Sequence, residues 1–150
     1  MSNERVINGN KLDTNELMSL VSTEQYDKLE EAWLGIVESN NKNPQDLFDV
    51  VDLLIKREER KRAHEFLVML VPYYKQRGLY QDVLKVLKKV LEYNPNEKGL
   101  ALEIAECYSN IYKDNPYAKD LVEKTGISAG LNIQSAMKKL EKYFYLDRGD

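Results

Sequence analysis

The chain has 150 residues, of which 43% are hydrophobic and 31% are charged, with only 7 glycines and 4 prolines. These proportions exclude a collagen-like, low-complexity or mainly disordered chain, and the length suits one domain. The formal net charge of −3 disfavours a dedicated nucleic-acid-binding domain, because such domains are usually basic. With one cysteine and one histidine, the chain cannot form an internal disulfide and has almost no means of building a zinc site.

No targeting or membrane segment is predicted. The first residues carry no apolar run behind them, so no signal peptide is expected. The longest apolar stretch, 66–71, is far shorter than the roughly 20 residues that span a bilayer. Neither end carries a lipidation pattern. We therefore expect a cytoplasmic protein with no membrane partner.

Apolar residues recur every three or four positions, which is the spacing of an α-helix, and the alternation typical of strands is never sustained. Turn signals rich in glycine, proline and asparagine separate the helical stretches. Helices are predicted, in chain order, at about 13–21, 24–39, from Pro44 onward, 59–77, 80–93, 97–113, 116–124 and 132–146. The predicted fold class is all-α: antiparallel helical hairpins stacked in a short right-handed array of about seven or eight helices. An irregular helical bundle is the alternative.

A repeat-like segment occupies 64–97. A first helix with a regular apolar stripe leads to a turn at Gly78 and Tyr80, and Pro95 ends the second helix. This segment resembles a tetratricopeptide repeat, a helix–turn–helix unit of about 34 residues. Shifting the register by one unit gives weaker matches on both sides. In the following unit, residues 114–116 stand where the turn glycine is expected. In the preceding unit, the turn at 40–44 comes earlier than the repeat register predicts.

The predicted organisation is a single helical domain, 1–150. It comprises an N-terminal arm and short helix at 1–22, hairpins like tetratricopeptide repeats at 23–125, and a closing helix with a linker at 126–150. Repeat arrays bind partners along the face of their first helices. The resemblance places that face at nine positions, which include Glu65 and Gly99; the candidate partner-binding surface is the other seven, Val68, Pro72, Lys75, Gln76, Leu102, Glu106 and Ser109. Since Val68 and Pro72 stand where carboxylate-clamping repeats need polar side chains, a terminal carboxylate is disfavoured as the ligand.

Catalytic motifs are absent from the sequence: it has no glycine-rich phosphate loop, no HExxH and no CxxC. His64 has no nucleophile or carboxylate on its local face, and Cys107 is 43 positions away on a core-forming helix, where a buried, inert thiol is expected. We therefore predict no enzymatic activity, no cofactor, no metal and no small-molecule substrate. The glutamates at 30–31 and 58–59 are expected to form i,i+4 pairs with nearby basic residues.

The segment 56–62 has a net charge of +3, and its composition predicts a solvated turn between two helices. The alternative is contact with phosphate or with an acidic partner. Its basic residues are Lys56, Arg57, Arg60, Lys61 and Arg62. Direct nucleic-acid binding through them remains the least favoured hypothesis.

The C-terminal sequence combines an amphipathic helix, an aromatic cluster at 143–145 and a final Asp-Arg-Gly-Asp. This ending, after weak helical repeats, resembles the N-terminal extension of long Gre-type bacterial transcription elongation factors, the GreA/GreB class, over 101–150. The resemblance implies a non-catalytic docking domain that precedes a β domain and a transcript-cleavage hairpin. RNA polymerase or other domains of the same chain would be its partner. The Mg²⁺-binding acidic residues of that family lie on the later hairpin, so none is assigned here. The alternative is a free-standing adaptor that binds a peptide or protein.

Overall fold

The computed structural model describes residues 9–39, 44–96, 99–129 and 132–147. Over these ranges the chain forms eight α-helices, one short 3-10 helix at Ile127–Ala129 and no strand. The all-α class and the expected number of helices are therefore confirmed. The helices are α1 Gly9–Ser22, α2 Tyr26–Ser39, α3 Pro44–Lys56, α4 Arg60–Gln76, α5 Tyr80–Tyr93, α6 Leu100–Ile111, α7 Ala118–Lys124 and α8 Ile133–Asp147.

Most helix starts fall within two residues of the prediction, and the starts of α1, α6 and α7 differ for local reasons. Helix α1 begins at Gly9, so part of the expected turn at 8–10 is helical. Helix α6 begins later than 97, because Gly99 takes a left-handed φ of 83° just before it. Helix α7 begins after Tyr117, whose backbone amide donates to the Asn115 side chain at 2.8 Å and so continues the turn. The predicted turn at 40–43 and the final residues 148–150 lie outside the described residues.

The chain divides into two compact units, Met1–Arg77 and Gly78–Asp150. The boundary falls at Gly78, which is the turn of the predicted repeat 64–97. Helices α4 and α5, the two halves of that repeat, therefore belong to different units. The single domain and the stacked hairpins remain predictions.

In the first unit, α1 packs against α2 and α3, α3 packs against α4, and α2 also contacts α4. On α2, α3 and α4 the apolar residues at helical spacing are buried, except Tyr26, which is half-buried; Phe48 and Ala63 join the core. At the centre Trp33 is fully buried and stacks on Phe66, with ring centroids 4.6 Å apart. The Trp33 Nε1–H has no hydrogen-bond partner within the described chain. Apolar burial and ring stacking therefore hold Trp33 in place.

Two turns of the first unit share one geometry. The segments 20–25 and 54–59 each connect two helices, and they are 34 positions apart. In the first segment the backbone N–H of residue 25 donates to the carbonyl of residue 20 at 2.9 Å, and that of residue 24 to the carbonyl of residue 21 at 3.0 Å. In the second segment the equivalent bonds run from residue 59 to residue 54 at 2.8 Å and from residue 58 to residue 55 at 2.9 Å. This is the Schellman pattern of helix termination. The fifth residue, Glu24 or Glu58, has a left-handed φ of 59° or 64°.

In the second unit, α5 packs on α6, and α6 contacts α7 and the 3-10 helix. Helix α8 contacts α7 and the 3-10 helix. The apolar spacing of α8 predicts a stripe of five residues: Ala136, Met137, Leu140 and Phe144 are buried, whereas Ile133 at its start is half-buried. Cys107 is fully buried, as expected. Among the helices that the structure describes, none combines the length and apolar character needed to cross a bilayer.

Candidate interaction surfaces

Exposed apolar side chains recur at one interval along the chain. Leu34 on α2, Val68 on α4 and Leu102 on α6 are spaced 34 residues apart, and their exposed fractions are 46%, 43% and 61%. Leu34 and Val68 hold the same position, the ninth residue, of helices that contact each other within the first unit. We call these three residues the periodic apolar positions. Each lies on the solvent side of a helix whose other face is buried.

The predicted partner-binding residues fall into two patches, one in each unit. On α4, the spacing of Val68, Pro72, Lys75 and Gln76 puts them on one face; Pro72 and Gln76 are exposed and Lys75 is half-buried. Helix α4 continues through Pro72 to Gln76. On α6, the exposed Leu102 and Glu106 share a face with the half-buried Ser109. Leu34 was not predicted, although shifting the repeat register from Val68 would have identified it.

Arg57, one of the five basic residues of the segment 56–62, has a structural role. Its guanidinium donates to the Ser22 carbonyl at 2.9 Å and lies 3.6 Å from a Glu24 carboxylate oxygen. The Ser22 carbonyl is at the C-terminal end of α1, where helix carbonyls lack intrahelical partners and a cation is favoured. Arg57 therefore ties the second of the two matching turns to the first.

Arg62 also makes intramolecular contacts. Its side chain pairs with Glu30 of α2 and with Glu59 at 3.1 Å, and its guanidinium lies 4.6 Å from the centre of the Tyr26 ring. Among the four glutamates predicted to form i,i+4 pairs, two have other partners: Glu30 pairs with a residue 32 positions away, and Glu59 with one three positions away. Packing of α2 near α4 brings Arg62 within reach of Glu30 and Tyr26.

Three of the five predicted basic residues remain available for an anion. Lys56, Arg60 and Lys61 are exposed, and no ion pair to them occurs in the described chain. Lys56 ends α3 and Arg60 begins α4, so the three cations flank one turn. The basic surface is thus smaller than the sequence indicates, because Arg57 and Arg62 already have anionic or carbonyl partners.

A groove that the sequence did not reveal lies in the second unit. Helices α5, α6 and α8 enclose a hollow of about 370 Å³, lined by Gln81, Leu84, Lys85, Lys88, Tyr108, Ile111, Tyr112, Glu141 and Phe144. A second hollow of about 470 Å³ shares Gln81 and Ile111 with the first and continues to Gly78, Leu79, Tyr80, Asp82, Asn110 and Lys113. We call the two together the α5–α6 groove. Because its residues come from distant parts of the sequence, no local sequence motif predicts this groove.

The floor of this groove is aromatic. The ring centroids of Tyr112 and Phe144 are 4.2 Å apart and those of Tyr108 and Phe144 are 5.5 Å apart, with interplanar angles of 17° and 29°. Burial raises the pKa of Tyr108 well above its usual range, and the nearby Glu141 carboxylate raises it further. The Tyr108 hydroxyl therefore stays protonated at neutral pH.

The histidine and the cysteine of the chain belong to different units: His64 is half-buried in the first, and Cys107 is buried in the second. Over the described ranges, no group of three or more His, Cys, Asp or Glu side chains is arranged to hold a metal ion. Comparisons with protein-family models, with curated proteins and with solved structures found no match to this chain.

Proposed function

We propose that this chain is a non-catalytic docking domain that binds a protein partner through the periodic apolar positions Leu34, Val68 and Leu102. The proposal rests on their recurrence: three large apolar side chains at 34-residue intervals are all exposed. Scattered exposed leucines need no explanation. A repeated exposed position that coincides with the partner-facing register of a helical repeat favours a binding role.

Polar residues beside the periodic positions support this proposal. Glu106 and Ser109 flank Leu102 on α6, and Pro72 and Gln76 follow Val68 on α4. Protein interfaces typically combine an apolar centre with a polar rim. Each patch has this composition at small scale, so several patches would have to act together to give a stable complex.

The resemblance of 101–150 to the N-terminal extension of long Gre-type elongation factors supports a particular setting for this role. In that setting the domain works in the cytoplasm, and its partner is RNA polymerase or another part of the same factor. It does no transcript cleavage itself.

The test is binding of the purified chain to immobilised core RNA polymerase from the same organism. Leu34→Asp, Val68→Asp and Leu102→Asp should each weaken binding by about tenfold, because a charge is placed at the centre of an apolar contact. Tyr117→Asp is the control, because Tyr117 is 67% exposed and lies outside the 34-residue register. Circular dichroism should show unchanged helicity in all four variants. Polymerase binding that survives all three register variants would contradict the proposal.

A free-standing adaptor is the second candidate, and it is favoured by the repetition of the Schellman turn at 20–25 and 54–59. In this case the chain binds a peptide or protein through the same periodic positions but does not bind polymerase. A photo-crosslinking amino acid at position 102 should then capture a defined partner, and the same group at position 117 should not. Saturable polymerase binding that is lost in Leu102→Asp would rule out this alternative.

A further inference from the structure

We propose that the α5–α6 groove is a second binding site, and that it takes a short acidic peptide segment carrying one large apolar side chain. This site is separate from the periodic apolar positions. On α6, Leu102 and Glu106 lie on one face, whereas Tyr108, Ile111 and Tyr112, which line the groove, lie on the other. The inference therefore does not depend on which partner occupies the Leu102 face.

The floor of the groove provides a place for an apolar anchor. Phe144 forms it together with Tyr108 and Tyr112, and the half-buried Leu84 and Ile111 extend the apolar surface. At the far end Leu79 is 39% exposed and lines the second hollow. Aromatic and aliphatic surface in a concave setting is typical of pockets that hold an interface anchor residue.

The polar lining favours a ligand rich in carboxylates. Three lysines line the groove, Lys85, Lys88 and Lys113, against two carboxylates, Asp82 and Glu141, although the whole chain has a net charge of −3. Glu141 accepts a hydrogen bond from Lys88 at 3.1 Å. Lys85 pairs with Asp82 at 4.0 Å, the outer limit of an ion pair, and its side chain is 47% exposed. Lys113 has no ion pair in the described chain. A carboxylate of a ligand can therefore pair with Lys113 directly and can compete with Asp82 for Lys85.

The same lining disfavours a nucleic acid. The ring centroids of Tyr112 and Phe144 are already stacked 4.2 Å apart, so their facing surfaces are closed to a base. An acidic peptide needs neither surface, because its side chain can pack on the ring edges and its carboxylates can reach Lys85 and Lys113.

The test is a selection from a display library of random short peptides against the intact chain. Peptides that also bind the double variant Lys85→Glu/Lys113→Glu are removed. Enriched sequences should carry several Asp or Glu residues around one Phe, Leu, Ile or Met. A fluorescein-labelled enriched peptide should then bind the double variant about tenfold more weakly and should lose affinity as salt rises. The matched control is Lys138→Glu/Lys139→Glu, because these lysines are exposed on α8 and do not line the groove; it should bind like the unchanged chain.

Several results would overturn the proposal: no enrichment over the double variant, enriched peptides without acidic residues, or equal binding after the anchor is replaced by serine. Tighter binding of labelled oligodeoxythymidine that is lost in the double variant would assign the groove to a nucleic acid. Self-association that the double variant abolishes would assign it to a second copy of the chain. The Leu34→Asp, Val68→Asp and Leu102→Asp variants should bind the enriched peptide normally, so failure of this proposal is distinguishable from failure of the docking function.

Discussion

Glu24 and Glu58 occupy equivalent backbone positions 34 residues apart, each with a left-handed φ, at the end of a helix. Glycine is the usual residue there, because a Cβ atom crowds the following carbonyl group in this conformation. Both turns therefore carry a local strain that their hydrogen bonds offset. The pair shows that the first unit repeats a turn geometry, although the two turn sequences share few residues.

Glu58→Gly should stabilise the first unit by about 1 kcal/mol, because glycine adopts the left-handed conformation without a steric penalty. Urea unfolding followed by the fluorescence of Trp33, the only tryptophan, measures this change. Glu31→Gly is the matched control: Glu31 is exposed in the interior of α2, where glycine should cost about 1 kcal/mol. Changes of the same sign in both variants would contradict the strain argument.

Arg62→Lys should destabilise the first unit by about 1 kcal/mol. A lysine cannot bond to Glu30 and Glu59 together while also placing its charge over the Tyr26 ring, as the arginine does. Arg60→Lys is the control, because Arg60 is exposed and has no ion pair in the described chain. Equal midpoints for the two variants in the Trp33 unfolding curve would show that the Arg62 contacts add nothing to stability.

The helices were predictable because their signal is local. A stripe such as that of α8 places Leu140 and Phe144 on one face by spacing alone, and both are buried. The Glu30–Arg62 pair was not predictable, because it depends on how α2 packs near α4. The α5–α6 groove was not predictable for the same reason: Lys88 and Glu141 line it together but are 53 positions apart in sequence. Tertiary packing, which periodicity does not specify, determines both features.

Leu140→Asp should destabilise the second unit by about 3 kcal/mol or more, because an ionised carboxylate would be placed at a fully buried position. Cys107 is a suitable reporter, since its thiol is buried in the same unit and is the only one in the chain. Its reaction with a thiol reagent should accelerate strongly in Leu140→Asp and remain slow in the neighbouring exposed variant Lys139→Asp. Equal labelling rates in the two variants would show that the α8 stripe is not part of the core.

Alkaline pH should destabilise the second unit through Tyr108. Burial, then the Glu141 carboxylate, and to a smaller extent Tyr112 and Cys107, raise the pKa of Tyr108 above its ordinary value of 10.0. A folded-state pKa above the unfolded one means that the stabilisation is fully present below about pH 10 and is lost as the pH rises above it.

The measurement is urea unfolding followed by circular dichroism between neutral pH and pH 11, for the unchanged chain and for Tyr108→Phe. The phenylalanine variant keeps the ring stacking on Phe144 but has no phenol to ionise, so its stability should fall less steeply above pH 10. Tyr117→Phe is the control, because Tyr117 is 67% exposed and should leave the pH dependence unchanged. Parallel curves for all three proteins would mean that Tyr108 titrates equally in the folded and unfolded states, contrary to its buried position beside Glu141.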